Sequence, residues 1–145
     1  SYNLSAPMYV DGSKEKEMIE GIEEISKVLQ MSENADIALI GIGSMQKDSS
    51  ILKAGIRTEE EYTELIQKGA VGEIVGRIYD KEGQVVDEDL RRKMIGISTQ
   101  QIKKIPVRVG ISYGKDKVEA IKGAIKGEMI NVLVTDATTA EKLME

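Results

Sequence analysis

No cysteine and no histidine occur among the 145 residues of this chain. Without cysteine there is neither a disulfide framework nor a thiolate metal site, and without histidine neither imidazole base catalysis nor histidine-held zinc is open to it. Phenylalanine and tryptophan are also missing, so five tyrosines make up the whole aromatic set. That leaves little to stack on nucleobases, and a net charge of -5 argues against direct contact with nucleic acid. No apolar run approaches a membrane span, and Ser1–Pro7 (SYNLSAP) has no basic stretch followed by an apolar one. The expectation is a cytosolic protein with no membrane partner, no metal and no cofactor.

What is present suits one domain with an aliphatic core. Its charge is uneven. Between Asp11 and Asp36 eight acids face three lysines, whereas between Lys103 and Lys126 seven bases face two acids. Solvated helix faces account for both runs, and a basic C-terminal half also suits an anionic small ligand.

The stretch Gly69–Asp80 (GAVGEIVGRIYD) sets three glycines and two charged residues, Glu73 and Arg77, inside a strand-like run. From Ile74 the period of two puts Ile74, Gly76 and Ile78 on one face and Glu73, Val75, Arg77 and Tyr79 on the other. Spacing alone leaves two readings open: a helix closed at Gly69 followed by a bulged strand, or a ligand loop.

Along the chain, Met8–Val10 reads as a short strand, and Ser13 as the cap of one helix over Lys14–Met31 with Met18, Ile22, Ile25 and Leu29 as its apolar stripe. Ala35–Ile42 has the character of a parallel strand buried on both faces. It runs into Gly41, Gly43 and Ser44, where the ligand of an open α/β sheet is received. Gln46–Gly55 reads as a polar loop, and Thr58 with Glu61 as a capping box for a helix to Lys68. Asp80–Gly83 signals a turn that returns Val85 and Val86 as a hairpin partner, which would place Glu73 in the ligand crevice. Asp87–Met94 is a turn or short helix, and Ser98 with Gln101 caps a helix ending near Lys104. Val107–Ser112 is a strand stopping at Tyr113 and Gly114, followed by a helix over Lys115–Lys126 with Val118, Ile121 and Ile125 facing the sheet and Gly127 as its cap. Met129–Thr135 is the last strand, and Asp136 caps the last helix. Strand, loop and helix in repetition predict a Rossmann-like α/β sheet.

Lys117, in the first turn of its helix just beyond a strand end, is the lysine best placed for a ligand, because a cation there costs helix stability. Glu73 is suited to accept hydrogen bonds from sugar hydroxyls or to pair with Lys117. Arg108, mid-strand, reads as a buried ion pair or a phosphate clamp.

Taken together, ADIALIGIGS (35–44), GAVGEIVGRIYD (69–80), RRKMIGISTQQIKKIP (91–106), ISYGKDKVEAIKGAIKG (111–127) and NVLVTDATTAEKL (131–143) resemble the effector-binding domain of the SorC/DeoR family of bacterial sugar-responsive transcriptional regulators. The resemblance implies a NagB/RpiA/CoA-transferase-like three-layer sheet, mostly parallel with a β-hairpin. It implies a phosphorylated sugar effector that changes how the full-length regulator holds its operator. The family's helix-turn-helix and its Gly/Thr-rich phosphate loop are not found in residues 1–145, which are expected to be one effector-domain fragment that meets operator DNA only through an N-terminal domain. The acid of the family's GAVG(D/E) motif falls at Glu73 and the lysine of its GGxxK motif at Lys117, with Tyr113 in place of that motif's first glycine. Gly43, Ser44 and Gly114 complete the expected effector contacts. Homodimers or tetramers are implied as well, with the Ile51 and Leu52 patch as a possible contributor. An enzyme of the same fold, a sugar-phosphate isomerase or deaminase with Glu73 as base, is the competing class, and an oligomerisation module is the third.

Overall fold

A computed structural model describes all residues from Ser1 to Glu145. In chain order the first elements are α1 (Ser13–Glu20), α2 (Glu23–Glu33), β1 (Ile37–Gly41), β2 (Gly43–Ser44), α3 (Ser50–Lys53) and α4 (Glu59–Gln67). There follow β3 (Ala70–Ile74), β4 (Arg77–Asp80), α5 (Glu88–Lys93), α6 (Thr99–Lys104) and β5 (Val107–Ile111). A 3-10 turn (Lys115–Lys117) then leads into α7 (Val118–Lys126), β6 (Val132–Val134) and α8 (Ala137–Met144). No helix is long and apolar enough to cross a membrane.

The fold is α/β and Rossmann-like. Apolar, β-branched runs too short for helices form a parallel sheet in the order β1-β5-β6, with Ile37 opposite Val107 and Val109 opposite Val132. A second sheet, β2-β3-β4, is antiparallel. The larger core cluster joins them: Ile40 of β1, Ile121 of α7 and Met129 and Ile130 before β6 are grouped with Ile74 of β3 and Tyr79 of β4. A smaller cluster joins Ile51, Leu65, Ile78, Leu90 and Met94.

Only one face of the parallel sheet is covered. Leu39 is 73% exposed, and Ile37, Val107, Ile111, Val132 and Val134 on the same face are exposed with it. The expectation of a strand buried on both faces at 35–42 is therefore not met: the alternate residue Ile40 is buried and its neighbours are not.

The antiparallel layer departs from the predicted continuous strand over 73–80. Val75 and Gly76 both take left-handed backbone, φ 49° and 70°, and form a two-residue hairpin turn between β3 and β4. The Arg77 guanidinium steadies the turn by donating to the Val75 carbonyl over 2.6 Å. Asp80–Gly83 does turn, but Val85 returns only as an isolated bridge to Tyr79. The predicted strand at Met8–Val10 is likewise reduced to a bridge between Tyr9 and Met94.

Three helix expectations are corrected. The helix over 14–31 is two helices, broken where Gly21 closes α1 and Ile22 turns extended, with Gly12 and not Ser13 at the N-cap; Met18 and Ile22 are left exposed. On α7 the buried face is Ala120, Ile121, Gly123 and Ala124, and Ile125 is exposed. That face is small because the hairpin packs against it: a Cβ on Gly72 would lie 2.7 Å from that of Ala120 and 2.5 Å from Tyr79 Oη, whose hydroxyl donates to the Ala120 carbonyl over 2.7 Å. The polar loop at 46–55 contains α3, capped by Ser49, and its Ile51 is fully buried, which removes it from any subunit interface. Both capping boxes form as expected, at Thr58–Glu61 and Ser98–Gln101.

Candidate functional site

Beyond the carboxyl ends of β1 and β5 lies a cleft of about 600 Å³. Gly41, Gly43 and Ser44 line one wall, Ile111, Ser112 and Tyr113 another, and Glu73, Asp116 and Lys117 reach in from β3 and the turn before α7. Loops after parallel strands converge at this edge, so a ligand is received where no ladder has to be broken. The hairpin adds a wall through β2, because Gly43 pairs with Glu73 and Ser44 with Gly72.

Lys117 is placed by its local backbone. Gly114 adopts φ 110°, its N–H is held by Thr139 Oγ1 (2.9 Å) and Asp136 Oδ2 (3.2 Å), and its carbonyl receives the Lys117 N–H. The resulting 3-10 turn makes Lys117 the N-cap residue of α7 and swings its ammonium across the cleft onto Ser44 Oγ at 3.0 Å. Ser44 in turn donates to Asp116 Oδ2 over 3.1 Å, and Lys117 Nζ lies 3.5 Å from the same oxygen.

Glu73 accepts a bond from Ser50 Oγ at 3.4 Å. Burial pushes its carboxyl above the usual range, and Ser50, the Gly76 N–H and the more distant Lys117 charge pull the other way. A carboxyl partly freed from water in this way is a strong acceptor once a ligand hydroxyl reaches it.

Of the residues expected from the sequence, Glu73, Lys117, Gly43 and Ser44 meet in this cleft. Glu73 and Lys117 are not directly paired; Lys117 bonds Ser44 and Asp116 instead. Gly114 stands apart from the lining, its N–H committed to Asp136 and Thr139. Asp136 caps α8 by accepting the Thr139 N–H over 3.0 Å. Arg108 is not in an ion pair: its Nη1 donates to the Ile105 carbonyl, no carboxylate is within salt-bridge distance, and it does not line this cleft. Sequence reasoning missed Asp48, Ser49, Ser50 and Asp116. Asp116 had a signal in the alternation Lys115-Asp116-Lys117, whereas Ser50 sits in a helix of four residues that has no periodicity to show.

Comparison with known proteins bears on the family and the fold. A family model described as "Putative sugar-binding domain" matches residues 1–145. The transcriptional regulator LsrR of Enterobacter sp. (strain 638) is 33% identical over 144 residues, 97% of this chain and 45% of that protein. A DeoR family transcriptional regulator from Listeria monocytogenes superposes with a TM-score of 0.91 at 29% identity, over 99% of this chain and 58% of that one. The full-length sorbitol operon regulator SorC from Klebsiella pneumoniae does so with a TM-score of 0.87 at 30% identity, over 96% and 45%. The chain belongs to the sugar-binding domain family of SorC/DeoR-type transcriptional regulators. It spans about half the length of the curated relatives it matches.

Proposed function

We propose that this chain senses a phosphorylated sugar for a transcriptional regulator, without turnover, and that occupancy of the cleft changes how the regulator holds its operator. The observation that carries this reading is the meeting of Glu73, Ser44 and Lys117, from three separate stretches of chain, in one cleft at the carboxyl edge of the parallel sheet. Their chemistry suits a polyol. The carboxylate accepts from ligand hydroxyls, the ammonium donates to them, and a serine between them does both.

The open apolar face of β1-β5-β6 supports the reading that residues 1–145 are one part of a larger effector domain. Six exposed aliphatic residues on one sheet face form a patch that a folded protein keeps covered. The remainder of the regulator would cover it, supply the phosphate contacts and carry the operator-binding domain, and the whole would assemble as a homodimer or tetramer in the cytoplasm.

The test is operator binding by the full-length regulator, followed by fluorescence anisotropy with and without a panel of sugar phosphates. At least one member should shift the operator affinity, and Glu73→Gln should abolish the shift while leaving ligand-free operator binding unchanged. No response to any member would refute the reading. Conversion of a ribose or hexosamine phosphate by the protein would replace it with an enzymatic one.

A further inference from the structure

Ser44, Asp116 and Lys117 form a closed triangle, and its hydrogen-bond directions are fixed. Serine has one proton. Its Oγ donates to Asp116 Oδ2 at 3.1 Å, and its lone pair accepts from Lys117 Nζ at 3.0 Å. The 3.5 Å approach of Nζ to the Asp116 carboxylate closes the third side. An ammonium has three protons, so with Ser44 and Asp116 as its two partners one donor is left, while the carboxylate keeps acceptor positions free. Both charged groups remain reachable: the Asp116 side chain is 48% exposed and that of Lys117 27%.

We propose that Asp116 is a specificity-determining residue of this cleft: it neutralises Lys117 in advance, so that the ligand group seated at Ser44, Asp116 and Lys117 is an uncharged hydroxyl and not a phosphate or carboxylate. The proposal rests on the reading of the cleft as a sugar site. One free donor beside free acceptors matches an alcohol, which gives one hydrogen bond and takes others. A phosphate monoester dianion offers acceptors only, and its charged oxygens would face those of Asp116 with no donor between them.

The charge of the cleft agrees. Its lining holds three carboxylates, Asp48, Glu73 and Asp116, against one ammonium, a net charge of -2. An anion entering here is repelled, and the one cation that could hold it is already engaged. The basic character of residues 103–126 does not alter this, because Lys117 is the only one of those bases in the lining. Any phosphate on the effector therefore lies away from Lys117, with the sugar hydroxyls against it.

The experiment is a set of titrations of the full-length regulator, with inorganic phosphate, with the neutral polyol D-glucitol and with a sugar phosphate, followed through the amide signals of Ser44, Glu73 and Lys117 by NMR of selectively labelled protein. In the native chain phosphate should leave these signals in place. In Asp116→Asn it should move them, with an affinity about tenfold higher than any seen in the native chain, and added Lys117→Ala should abolish that gain. D-glucitol should bind Asp116→Asn more weakly than the native chain. Asp116→Ser serves as a second neutral variant should Asp116→Asn disturb the turn, which the same spectra report.

The proposal is overturned if phosphate binds the native chain and both neutral variants equally, or if the gained binding survives Lys117→Ala. The sugar-site reading fails separately. If neither D-glucitol nor a sugar phosphate moves any cleft signal, that reading falls, while the phosphate contrast still decides the role of Asp116.

Discussion

Lys117 Nζ donates to Ser44 Oγ over 3.0 Å, joining the start of α7 to β2 across 73 positions of the chain. This bond ties the loop after β1 to the loop after β5. Ser44→Ala removes the link without opening a large void, since a hydroxyl is replaced by hydrogen at a buried site. The expected outcome is a loss of stability of about 1 kcal/mol, read by chemical denaturation. Sugar affinity should fall by about an order of magnitude, since both Lys117 and Asp116 lose the partner that orients them.

Gly72 and Gly43 face each other's strands and predict opposite outcomes. A Cβ at Gly72 meets Tyr79 Oη at 2.5 Å and Ala120 Cβ at 2.7 Å, so Gly72→Ala should cost about 1–3 kcal/mol by forcing the hairpin away from α7. At Gly43 the nearest atoms belong to Glu73 and lie 3.6–3.7 Å away, an ordinary contact. Gly43→Ala should keep the melting temperature nearly unchanged and weaken ligand binding, because the methyl group enters the cleft beside the Glu73 carboxyl. Thermal melts and titrations of the two variants side by side check this.

Much of this arrangement was legible in the sequence, and what was not has physical causes. Ser98–Gln101, Thr58–Glu61 and Asp136 announced helix starts because capping is a local interaction, and all three caps form. Gly41, Gly43 and Ser44 marked a strand end because glycine and serine after an apolar run have few other uses. The hairpin turn was hidden, since Val75 is a β-branched residue in left-handed backbone, which local propensity disfavours and which the bond from Arg77 helps to hold. The exposure of Leu39 was hidden too, because a strand's hydrophobicity reports what it is able to bury and not what is beside it. Asp116 was passed over as one charge among many; only the fold brings it to Ser44.

Arg57 and Asp87 form a two-point ion pair, Nε and Nη2 each 2.9 Å from a carboxylate oxygen, and Asp87 also caps α5 by accepting the Leu90 N–H. Both side chains are nearly buried, and the bonds to Asp87 hold Arg57 well above the usual guanidinium range. Asp87→Ala leaves that guanidinium without its main partner and α5 without its cap. A destabilisation of about 3–5 kcal/mol is expected, measurable as a shift of the denaturant midpoint.

Glu73 gives a pH signature. Its folded-state pKa is raised by burial, so between its ordinary value and the raised one the folded chain binds more protons than the unfolded chain. Stability must then fall as pH rises through that window. Glu73→Gln removes the effect: relative to the variant, the native chain should lose stability from the ordinary carboxyl value of 4.5 upward and stay lower at neutral pH. Asp89 and Asp136, whose pKa values are lowered, contribute stability that is lost on acidification, but they do so equally in both proteins. Melting temperatures of the pair across pH 4–7 isolate the Glu73 contribution.

Contact of both Glu73 and Lys117 with a sugar effector is the central prediction. Isothermal titration calorimetry of the full-length regulator against a panel of sugar phosphates measures this directly. At least one member should bind, and both Glu73→Gln and Lys117→Ala should weaken it by about tenfold or more, the loss expected for a charge-assisted hydrogen bond. Binding that both substitutions leave unchanged would contradict the assignment of this cleft as the effector site.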